Sequence, residues 1–437
     1  MKMTRPPHPP LAMQGHFLMT YLSSRLSRLL ALAASTMFLV GCAAPMAVRK
    51  PLPSVSEVRS PEFKQTMGAL LGSPFVGGNR IQALNNGDEF FPAMLAAIRG
   101  ARHTVNFETF IFYDDAVPQA FAEELAAAAR RGVRVNVIFD AVGASRSRTF
   151  HAALREAGVQ VHIYHPLLWF DLRRANHRTH RKLLIVDGRI GFTGGAGIAK
   201  EWAGRATSPE EWRDLHYRVE GPVVVQLQAA FHDNWLKTDG DVLQGPGYFP
   251  PLATAGRATA SVFHTSPRLG QTGVEVMYHF AVASARHSLL IQNAYFVPDR
   301  SLVDALCAAA RRGVKVQILM PGEHIDQKAV RRASRKKWKE LMAAGVELYE
   351  YRPTMLHSKL LIADGLFVSV GSANLDPRSF RINDEANLNV LDRATAAELT
   401  RIFQADLRNS ERVKSDAKGS VVDAPLQVVQ TPLESQL

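Results

Sequence analysis

The sequence contains the pattern His-x-Lys-x-x-x-x-Asp twice, at His180, Lys182 and Asp187 and again at His357, Lys359 and Asp364. Each copy leads into an apolar run typical of a buried strand. Because side chains alternate along a strand, a histidine and a lysine two residues apart project from the same face, where one phosphate can touch both. A neutral imidazole is a nucleophile near pH 7, a second one can protonate a leaving oxygen, and lysines offset phosphate charge. The two pairs therefore predict an enzyme that breaks and remakes phosphodiester bonds at one shared active site.

A glycine-led turn follows each motif aspartate by seven residues, with the sequences Gly194-Gly195-Ala196-Gly197 and Gly371-Ser372-Ala373-Asn374. Small residues there let the backbone approach an anion closely. We predict that Asn374 is a further phosphate donor and that Ser372 supports the site. One His-x-Lys motif alone would carry little weight, since solvated histidines at strand ends are common. Two motifs with the same downstream turn favour chemistry.

Four carboxylates accompany the two histidines. Asp214 and Glu385 occupy matching places, each five residues before a valine, and we predict that they orient the histidines. The alternative for each is an ordinary surface acid on a strand. Asp187 and Asp364 are included among the candidate catalytic residues as members of the motif. We expect them to fix the local turn rather than touch the substrate.

The order of the predicted elements is repeated along the chain. Each copy opens with Ala-Arg-His, at 101–103 and at 285–287, and continues through a β-rich run, a helical segment and an apolar strand. The helical segments end at Gly132 and Gly313, where a left-handed residue commonly terminates a helix. Strands that alternate with helices predict βαβ units with largely parallel sheets. We therefore expect an α/β fold of two domains related by a pseudo-twofold axis, which places equivalent residues on opposite sides of one cleft.

Two further segments strengthen the pattern, Glu211-Trp212-Arg213-Asp214 before a strand and the nine residues from Gly371 to Ser379. With the paired motifs they resemble the phospholipase D superfamily, most closely its bacterial cardiolipin synthase branch, from about Asn79 to Ala405. The resemblance implies a phosphohistidine mechanism without a metal or another cofactor. It implies His180 as the nucleophile and His357 as the general acid and base, with the reverse assignment left open. The sequence departs from the family at Gly197, where asparagine is usual, so the first half has lost one phosphate donor.

The N-terminal residues are expected to be a signal peptide. Arg25 and Arg28 precede an apolar run that is shorter than the about 20 residues that span a bilayer. The run ends in Leu-Val-Gly-Cys, which resembles the lipobox of bacterial lipoproteins, so Cys42 is the predicted lipidation site. An ordinary secretory signal with a chance cysteine is the alternative. The sequence thus predicts a membrane-anchored lipoprotein facing the periplasm, divided into a signal peptide (1–41), a tether (42–61), a first domain (62–240), a second domain (241–408) and a polar tail (409–437).

The net charge of +12 favours an anionic partner, which admits both nucleic acid and acidic lipid. The basic stretch from Lys328 to Lys339, which contains Trp338, suits anionic headgroups, a nucleic-acid backbone or a solvated helix face. The apolar run from Leu167 to Phe170 suits acyl chains unless it belongs to the core. A lipid anchor favours phospholipid as substrate and a membrane surface as partner over nucleic acid, and no protein partner is indicated. We therefore expect cardiolipin synthesis from phosphatidylglycerol, ahead of phospholipase hydrolysis, an anchored nuclease and a non-catalytic lipid-binding scaffold.

Overall fold

The repeated segments fold as two copies of one α/β unit, in a computed structural model that describes residues 48–52, 55–145, 148–166, 176–266 and 272–414. The strands of the first half are β1 (Val76–Asn85), β2 (Thr104–Thr109), β3 (Arg134–Asp140), β4 (Gln160–Tyr164), β5 (Leu183–Val186), β6 (Ile190–Gly194) and β7 (Leu215–Glu220). Those of the second half are β8 (Ala258–Thr265), β9 (Ser288–Asn293), β10 (Lys315–Pro321), β11 (Glu347–Tyr351), β12 (Lys359–Ala363), β13 (Phe367–Gly371) and β14 (Glu385–Leu391), followed by β15 (Ser410–Arg412). The predicted α/β class is confirmed.

Helices connect these strands and cover the sheet. The N-terminal helix and those of the first half are α1 (Pro61–Leu70), α2 (Asn86–Arg99), α3 (Ala116–Arg130), α4 (Arg148–Glu156) and α5 (Val224–Lys237). Those of the second half are α6 (Gly273–Ser284), α7 (Arg300–Arg311), α8 (Lys328–Ala343), α9 (Pro377–Arg381) and α10 (Arg393–Arg408).

The strands form one fifteen-stranded sheet with β1 and β8 paired antiparallel at its centre. From this pair the strands follow in equivalent order, β7-β6-β5-β2-β3-β4 on one side and β14-β13-β12-β9-β10-β11 on the other. This order agrees with the predicted pseudo-twofold relation. The prediction of a largely parallel sheet is wrong, because the parallel pairs are confined to β2-β3-β4 and β9-β10-β11. A tight turn such as the one between β5 and β6 can join only antiparallel neighbours, whereas parallel strands need a helical crossover.

The equivalent helices α3 and α7 begin and end in the same way. Asp115 and Asp299 cap their N-termini, each accepting a backbone N–H bond at 3.0 Å. Gly132 and Gly313 follow their C-terminal ends with φ of 88° and 90°, a left-handed conformation that glycine adopts without steric cost. The predicted helix ends are therefore confirmed.

The segment before β1 packs on the second half rather than the first. Phe63 and Met67 of α1 are fully buried in the core that is otherwise built from the second half, and the Phe63 ring stacks on Phe280 at 5.3 Å between centroids. Further upstream, Val58 is buried in the same core. The boundary between a tether (42–61) and a first domain (62–240) stays a prediction, and α1, which follows it, packs on the second half. Apolar contact with α6 decides the position of this segment.

The basic stretch folds as α8, and its tryptophan points inward. Trp338 is 6% exposed, and its indole N–H donates to the Ser334 hydroxyl. The Trp338 ring therefore belongs to the core. Exposed basic side chains on α8 are Lys328, Arg332, Arg335, Lys336 and Lys339.

The segments that were predicted to contact a membrane lie mostly outside the described residues. Within the described ranges, no helix is both long and apolar enough to cross a bilayer. Cys42, the signal-peptide run and the apolar residues 167–170 lie outside the described residues. The predicted tail (409–437) does so only from residue 415, because its first residues include β15, which pairs with β11. Cys307 is buried in α7.

Candidate active site

The backbone of each motif histidine is held by the other half of the chain. The His180 N–H donates to the carbonyl of Asp384 at 2.8 Å, and the His357 N–H donates to the carbonyl of Arg213 at 2.7 Å. In both cases the next residue is one of the two carboxylates that the sequence singled out. The crosswise bonds bring both motifs to the edge of the sheet where β5 and β12 begin, which we call the active-site edge.

Glu385 in β14 contacts His180 from the opposite half. Its carboxylate oxygens lie 3.0 and 3.1 Å from His180 Nδ1. The hydroxyls of Ser372 and Ser379 also donate to this carboxylate, so Ser372 holds Glu385 and supports the site indirectly. Because Nδ1 faces an acceptor, it carries the ring proton, and Nε2 keeps its lone pair.

Asp214 makes the equivalent contact with His357. Its Oδ2 lies 2.8 Å from His357 Nδ1 and also accepts the indole N–H of Trp202 at 2.9 Å. Its Oδ1 accepts the backbone N–H of Leu215 at 2.7 Å. Both predicted orienting carboxylates therefore lie within hydrogen-bond distance of a motif histidine, each in the opposite half.

Burial keeps both imidazoles neutral. It lowers the pKa of His180 to about 4 and, with the nearby charge of Lys359, that of His357 to about 3. Burial alone would raise the pKa of Glu385 and Asp214, but the contact of each with its imidazole, the charge of a nearby lysine and further hydrogen bonds together outweigh burial and bring both values to about 2. At neutral pH the site thus holds two carboxylates and two neutral imidazoles, the state that a nucleophilic histidine needs.

Lys182 and Lys359 supply the positive charge of the site. Each is 3% exposed, and each ammonium donates to the carbonyl of its own motif histidine. Burial and repulsion by Lys359 lower the pKa of Lys182 to about 7, and burial lowers that of Lys359 to about 8. The charge of Lys359 therefore acts on the Lys182 ammonium across the site. An anion bound between them would favour their charged forms.

Asp187 and Asp364 lie at the opposite ends of β5 and β12 from the histidines. Asp187 accepts the backbone N–H groups of residues 102, 103 and 104 at 2.7 to 3.2 Å, and Asp364 accepts those of residues 286, 287 and 288 at 2.7 to 2.9 Å. Both adopt positive φ, 52° and 53°, which aspartate tolerates in tight turns. Their inclusion among the candidate catalytic residues is therefore corrected. They tie the turn between β5 and β6, or between β12 and β13, to the start of the neighbouring strand β2 or β9.

The two glycine-led turns differ in what they present. Asn374 is 3% exposed, and its side-chain oxygen has no hydrogen-bond partner. That oxygen can only accept, so its missing partner does not bear on the predicted phosphate contact, which the amide NH₂ group of Asn374 would make as a donor. At Gly197 a Cβ atom would lie 2.8 Å from Ile111 Cβ and 3.0 Å from the Trp202 ring. The expected loss of a donor there thus has a steric cause.

In the described residues, no cluster of histidine, cysteine and acidic side chains is arranged to hold a metal.

Aromatic side chains around the histidines are the feature that sequence reasoning missed. The rings of Trp202 and Trp212 each lie 5.2 Å from His357 between centroids, and the ring of Tyr295 lies at 6.0 Å. Phe110 lies 5.4 Å from His180. The sequence did offer one signal for these rings. Trp202 lies at the position in the first repeat that corresponds to Ser379 in the second, so an aromatic residue replaces a serine there.

Comparisons with known proteins agree with this geometry. Residues 94–235 and 280–407 match the family described as cardiolipin synthase, phospholipase D-like domain. The probable cardiolipin synthase of Bacillus subtilis is 34% identical over 338 residues, which are 77% of this chain and 67% of that protein. Cardiolipin synthase A of Pseudomonas putida is 33% identical over 374 residues, 83% of this chain and 77% of that protein. This chain thus spans about two thirds of the length of the Bacillus relative.

A solved structure shares the fold at low sequence identity. Phosphatidylserine synthase of Haemophilus influenzae superposes with a TM-score of 0.62 at 15% identity, covering 81% of this chain and 92% of that one. The family match covers more than half of the chain and includes both histidine–lysine motifs. The chain therefore belongs to the phospholipase D superfamily, in the family of cardiolipin synthase phospholipase D-like domains.

Proposed function

We propose that this chain is a phosphatidyltransferase that makes cardiolipin from phosphatidylglycerol through a phosphohistidine intermediate. The observation that carries the proposal is the pair of neutral, carboxylate-bonded imidazoles beside two lysines. His180 Nε2 attacks the phosphorus of one phosphatidylglycerol, the bond from phosphorus to the glycerol headgroup oxygen breaks, and His357 gives the glycerol its proton. A hydroxyl of a second phosphatidylglycerol then passes its proton to His357 and attacks the phosphorus. Cardiolipin leaves, and His180 is free again.

His357 must carry a proton in the first step, although burial keeps it neutral in the free protein. The negative charge of a bound phosphodiester, together with ionised Asp214, favours the imidazolium form. Lys182 and Lys359 would hold the phosphate oxygens and offset charge in the transition state, with Asn374 as a further donor. The lysines supply positive charge that a metal ion supplies in other phosphoryl-transfer sites, so the proposal includes no metal or other cofactor.

The names of the Bacillus and Pseudomonas relatives support the choice of cardiolipin as product. Phospholipase D hydrolysis is the second candidate, because the same residues could pass the phosphatidyl group to water. Water at about 55 M wins unless the site excludes it and binds an alcohol. The aromatic rings around His357 favour exclusion and therefore transfer.

Lipid analysis of the purified protein with phosphatidylglycerol vesicles tests the proposal. We expect cardiolipin and free glycerol in equal amounts. His180→Ala and His357→Ala are expected to remain folded and to lose turnover. Phosphatidic acid as the sole lipid product would make the protein a phospholipase. DNA cleavage without lipid turnover would make it a nuclease.

We also propose that Cys42 is lipidated and anchors the protein on the periplasmic side of a membrane, with the active-site edge facing the lipid. Support comes from the packed segment that follows it. The Val48 N–H donates to the Glu275 carboxylate at 3.1 Å, in the first turn of α6, and the Val58 N–H donates to the carbonyl of Ser284 at the other end of that helix. Helix α6 follows β8, whose last residue pairs with Glu385, so its first turn lies at the active-site edge.

Val48 follows Cys42 by six positions, a reach of at most about 20 Å. A lipid at Cys42 would therefore hold the active-site edge close to the bilayer. The exposed start of α8 lies at the same edge, since α8 follows β10. Its basic side chains suit anionic phospholipid headgroups, and the lipid anchor proposed at Cys42 is what favours phospholipid over nucleic acid as the partner. Labelling with a clickable fatty acid is expected to mark the wild type and not Cys42→Ala, whereas an unmarked wild type would indicate an ordinary signal peptide.

A further inference from the structure

The two half-sites are built from different residues at equivalent positions. Gly195, Gly197 and Trp202 in the first half correspond to Ser372, Asn374 and Ser379 in the second, each pair separated by the same 177 residues as the two histidines. In the second half, both serine hydroxyls donate to the carboxylate that contacts His180. In the first half, the donor to the matching carboxylate is an indole N–H.

The substitutions in the first half depend on one another sterically. A Cβ atom at Gly195 would lie 2.4 Å from Asp214 Oδ1, so a serine does not fit there while Asp214 keeps its position. A Cβ atom at Gly197 would lie 2.8 Å from Ile111 Cβ and 3.0 Å from the Trp202 ring, so an asparagine does not fit while these two side chains keep their positions. Trp202 thus replaces the donor role of the missing hydroxyls and, with Ile111, fills the space of the missing amide.

The Trp202 ring also completes an apolar wall around His357. It is 3% exposed, lies 4.4 Å from the Trp212 ring between centroids, and meets the His357 ring edge to face. Tyr295 lies on the same imidazole. Aromatic rings offer a water molecule few hydrogen-bond partners, so water beside His357 is poorly stabilised. On the other side of the site the Phe110 ring lies 5.4 Å from His180, and the carboxylate that His180 contacts accepts from two serine hydroxyls.

We propose that Trp202 is a positioning residue with two separable effects: its N–H holds Asp214 for His357, and its ring keeps water from the base that activates the acceptor. The proposal rests on the proposed phosphatidyl transfer. The acceptor hydroxyl or a competing water must give its proton to His357 before attacking phosphatidyl-His180. A wall that disfavours water beside His357 therefore directs the phosphatidyl group to the alcohol of a lipid.

Two substitutions separate the effects. Trp202→Phe keeps a ring and removes the N–H donor. Trp202→Gln removes the ring and keeps a donor, because glutamine Nε2 lies as many bonds from Cβ as indole Nε1. Trp235→Phe is the matched control, since Trp235 is also fully buried and donates its indole N–H, to the carbonyl of Asp241. The readouts are the ratio of cardiolipin to phosphatidic acid and the His357 pKa from NMR titration.

We expect Trp202→Phe to slow both products about tenfold with an unchanged ratio, the effect of one lost hydrogen bond to a charged group. Its His357 pKa should rise, because Asp214 without the indole donor attracts the imidazolium more strongly. We expect Trp202→Gln to shift the product ratio toward phosphatidic acid by about tenfold or more, as water gains access. The control should change neither readout.

An unchanged His357 pKa in Trp202→Phe would overturn the positioning effect, and an unchanged product ratio in folded Trp202→Gln would overturn the water-excluding effect. If Trp202→Gln does not fold, Trp212→Gln removes a half-buried ring of the same wall and is judged by the same ratio. Phosphatidic acid as the sole wild-type product would overturn both cardiolipin synthesis and water exclusion. Absence of any lipid turnover would overturn the proposed function, and the titration would still decide whether Trp202 positions Asp214.

Discussion

Asp214→Asn and Glu385→Gln are expected to differ in cost, although the two carboxylates occupy equivalent places. Asp214 is surrounded by groups that can only donate, the indole N–H of Trp202 and the backbone N–H of Leu215, besides His357. An asparagine NH₂ group must face one of these N–H groups. Glu385 is surrounded by His180 and two serine hydroxyls. Hydroxyls can rotate and accept, so a glutamine NH₂ group finds partners there.

The magnitudes follow from this difference. Each substitution loses one charge-assisted hydrogen bond to an imidazole, about 1.5–3 kcal/mol or ten- to a hundredfold in rate if the bond is fully formed in the transition state. Asp214→Asn also buries an unpaired donor, which costs about 1–3 kcal/mol of folding free energy and is the same before and in the transition state. We therefore expect a loss of about 10–10² in kcat for Asp214→Asn, with a clearly lower free energy of unfolding. For Glu385→Gln we expect about 10–10² with nearly unchanged stability.

The assay uses two substrates to separate the steps. Phosphatidylglycerol needs a proton on its leaving glycerol, whereas a phosphatidyl ester of p-nitrophenol has a leaving group that departs without one. Rapid-quench measurement of the covalent phosphatidyl-enzyme gives the rate of the first step. With the nitrophenyl ester, Asp214→Asn should form the intermediate at close to the wild-type rate, because His357 is not needed as an acid. Glu385→Gln should stay slow with both substrates, because it acts on the nucleophile.

The opposite pattern would refute the reasoning in a defined way. If the nitrophenyl ester restored Glu385→Gln and not Asp214→Asn, His357 would be the nucleophile and His180 the acid. If both substitutions destabilised the fold equally, the contrast between donor-only and hydroxyl surroundings would be wrong. Urea denaturation of both variants beside the wild type provides that comparison.

Four further predictions follow from the same contacts. Because burial lowers the pKa values of Lys182 and Lys359 to about 7 and 8, these groups lose their charge as the pH rises, and kcat/KM of the free enzyme should fall above about pH 8; a flat profile to pH 10 would contradict this. Asp364→Asn weakens a carboxylate that accepts three backbone N–H groups and should lower the free energy of unfolding by about 2 kcal/mol in urea titration, with kcat preserved. Activity should persist in EDTA because lysines supply the charge, and loss that a divalent ion restores would show otherwise. A fluorophore on Lys328→Cys, at the active-site edge, should be quenched by a lipid-borne quencher, while one on Lys315→Cys at the opposite end of β10 should not; equal quenching would overturn the proposed orientation.

Local spacing made the histidine–lysine pairs readable from the sequence. A two-residue interval on a strand fixes which side chains share a face, and the glycines after α3 and α7 are needed for a backbone conformation that depends on their own position. The repeat added the pseudo-twofold arrangement, since equal spacing in two copies predicts equal structure. These features require no knowledge of what packs against them.

Long-range packing decided what the sequence left open. The repeat gives both histidines and both carboxylates equivalent places, so it cannot tell whether each carboxylate serves its own half or the other. The pairing of β1 with β8 at the centre of the sheet settles this, because it joins the two units so that Glu385 reaches His180 and Asp214 reaches His357.

The sequence by itself determined which side chains form the candidate active site, because two histidine–lysine pairs at strand spacing within a repeat have few other uses. Only the tertiary structure decided the surroundings of that site. Packing on α6 assigns residues 55–71 to the second half, and the space beside Asp214 admits Trp202 where the other half has a serine. Such surroundings depend on packing contacts between residues that are far apart in the chain, and local spacing does not encode those contacts.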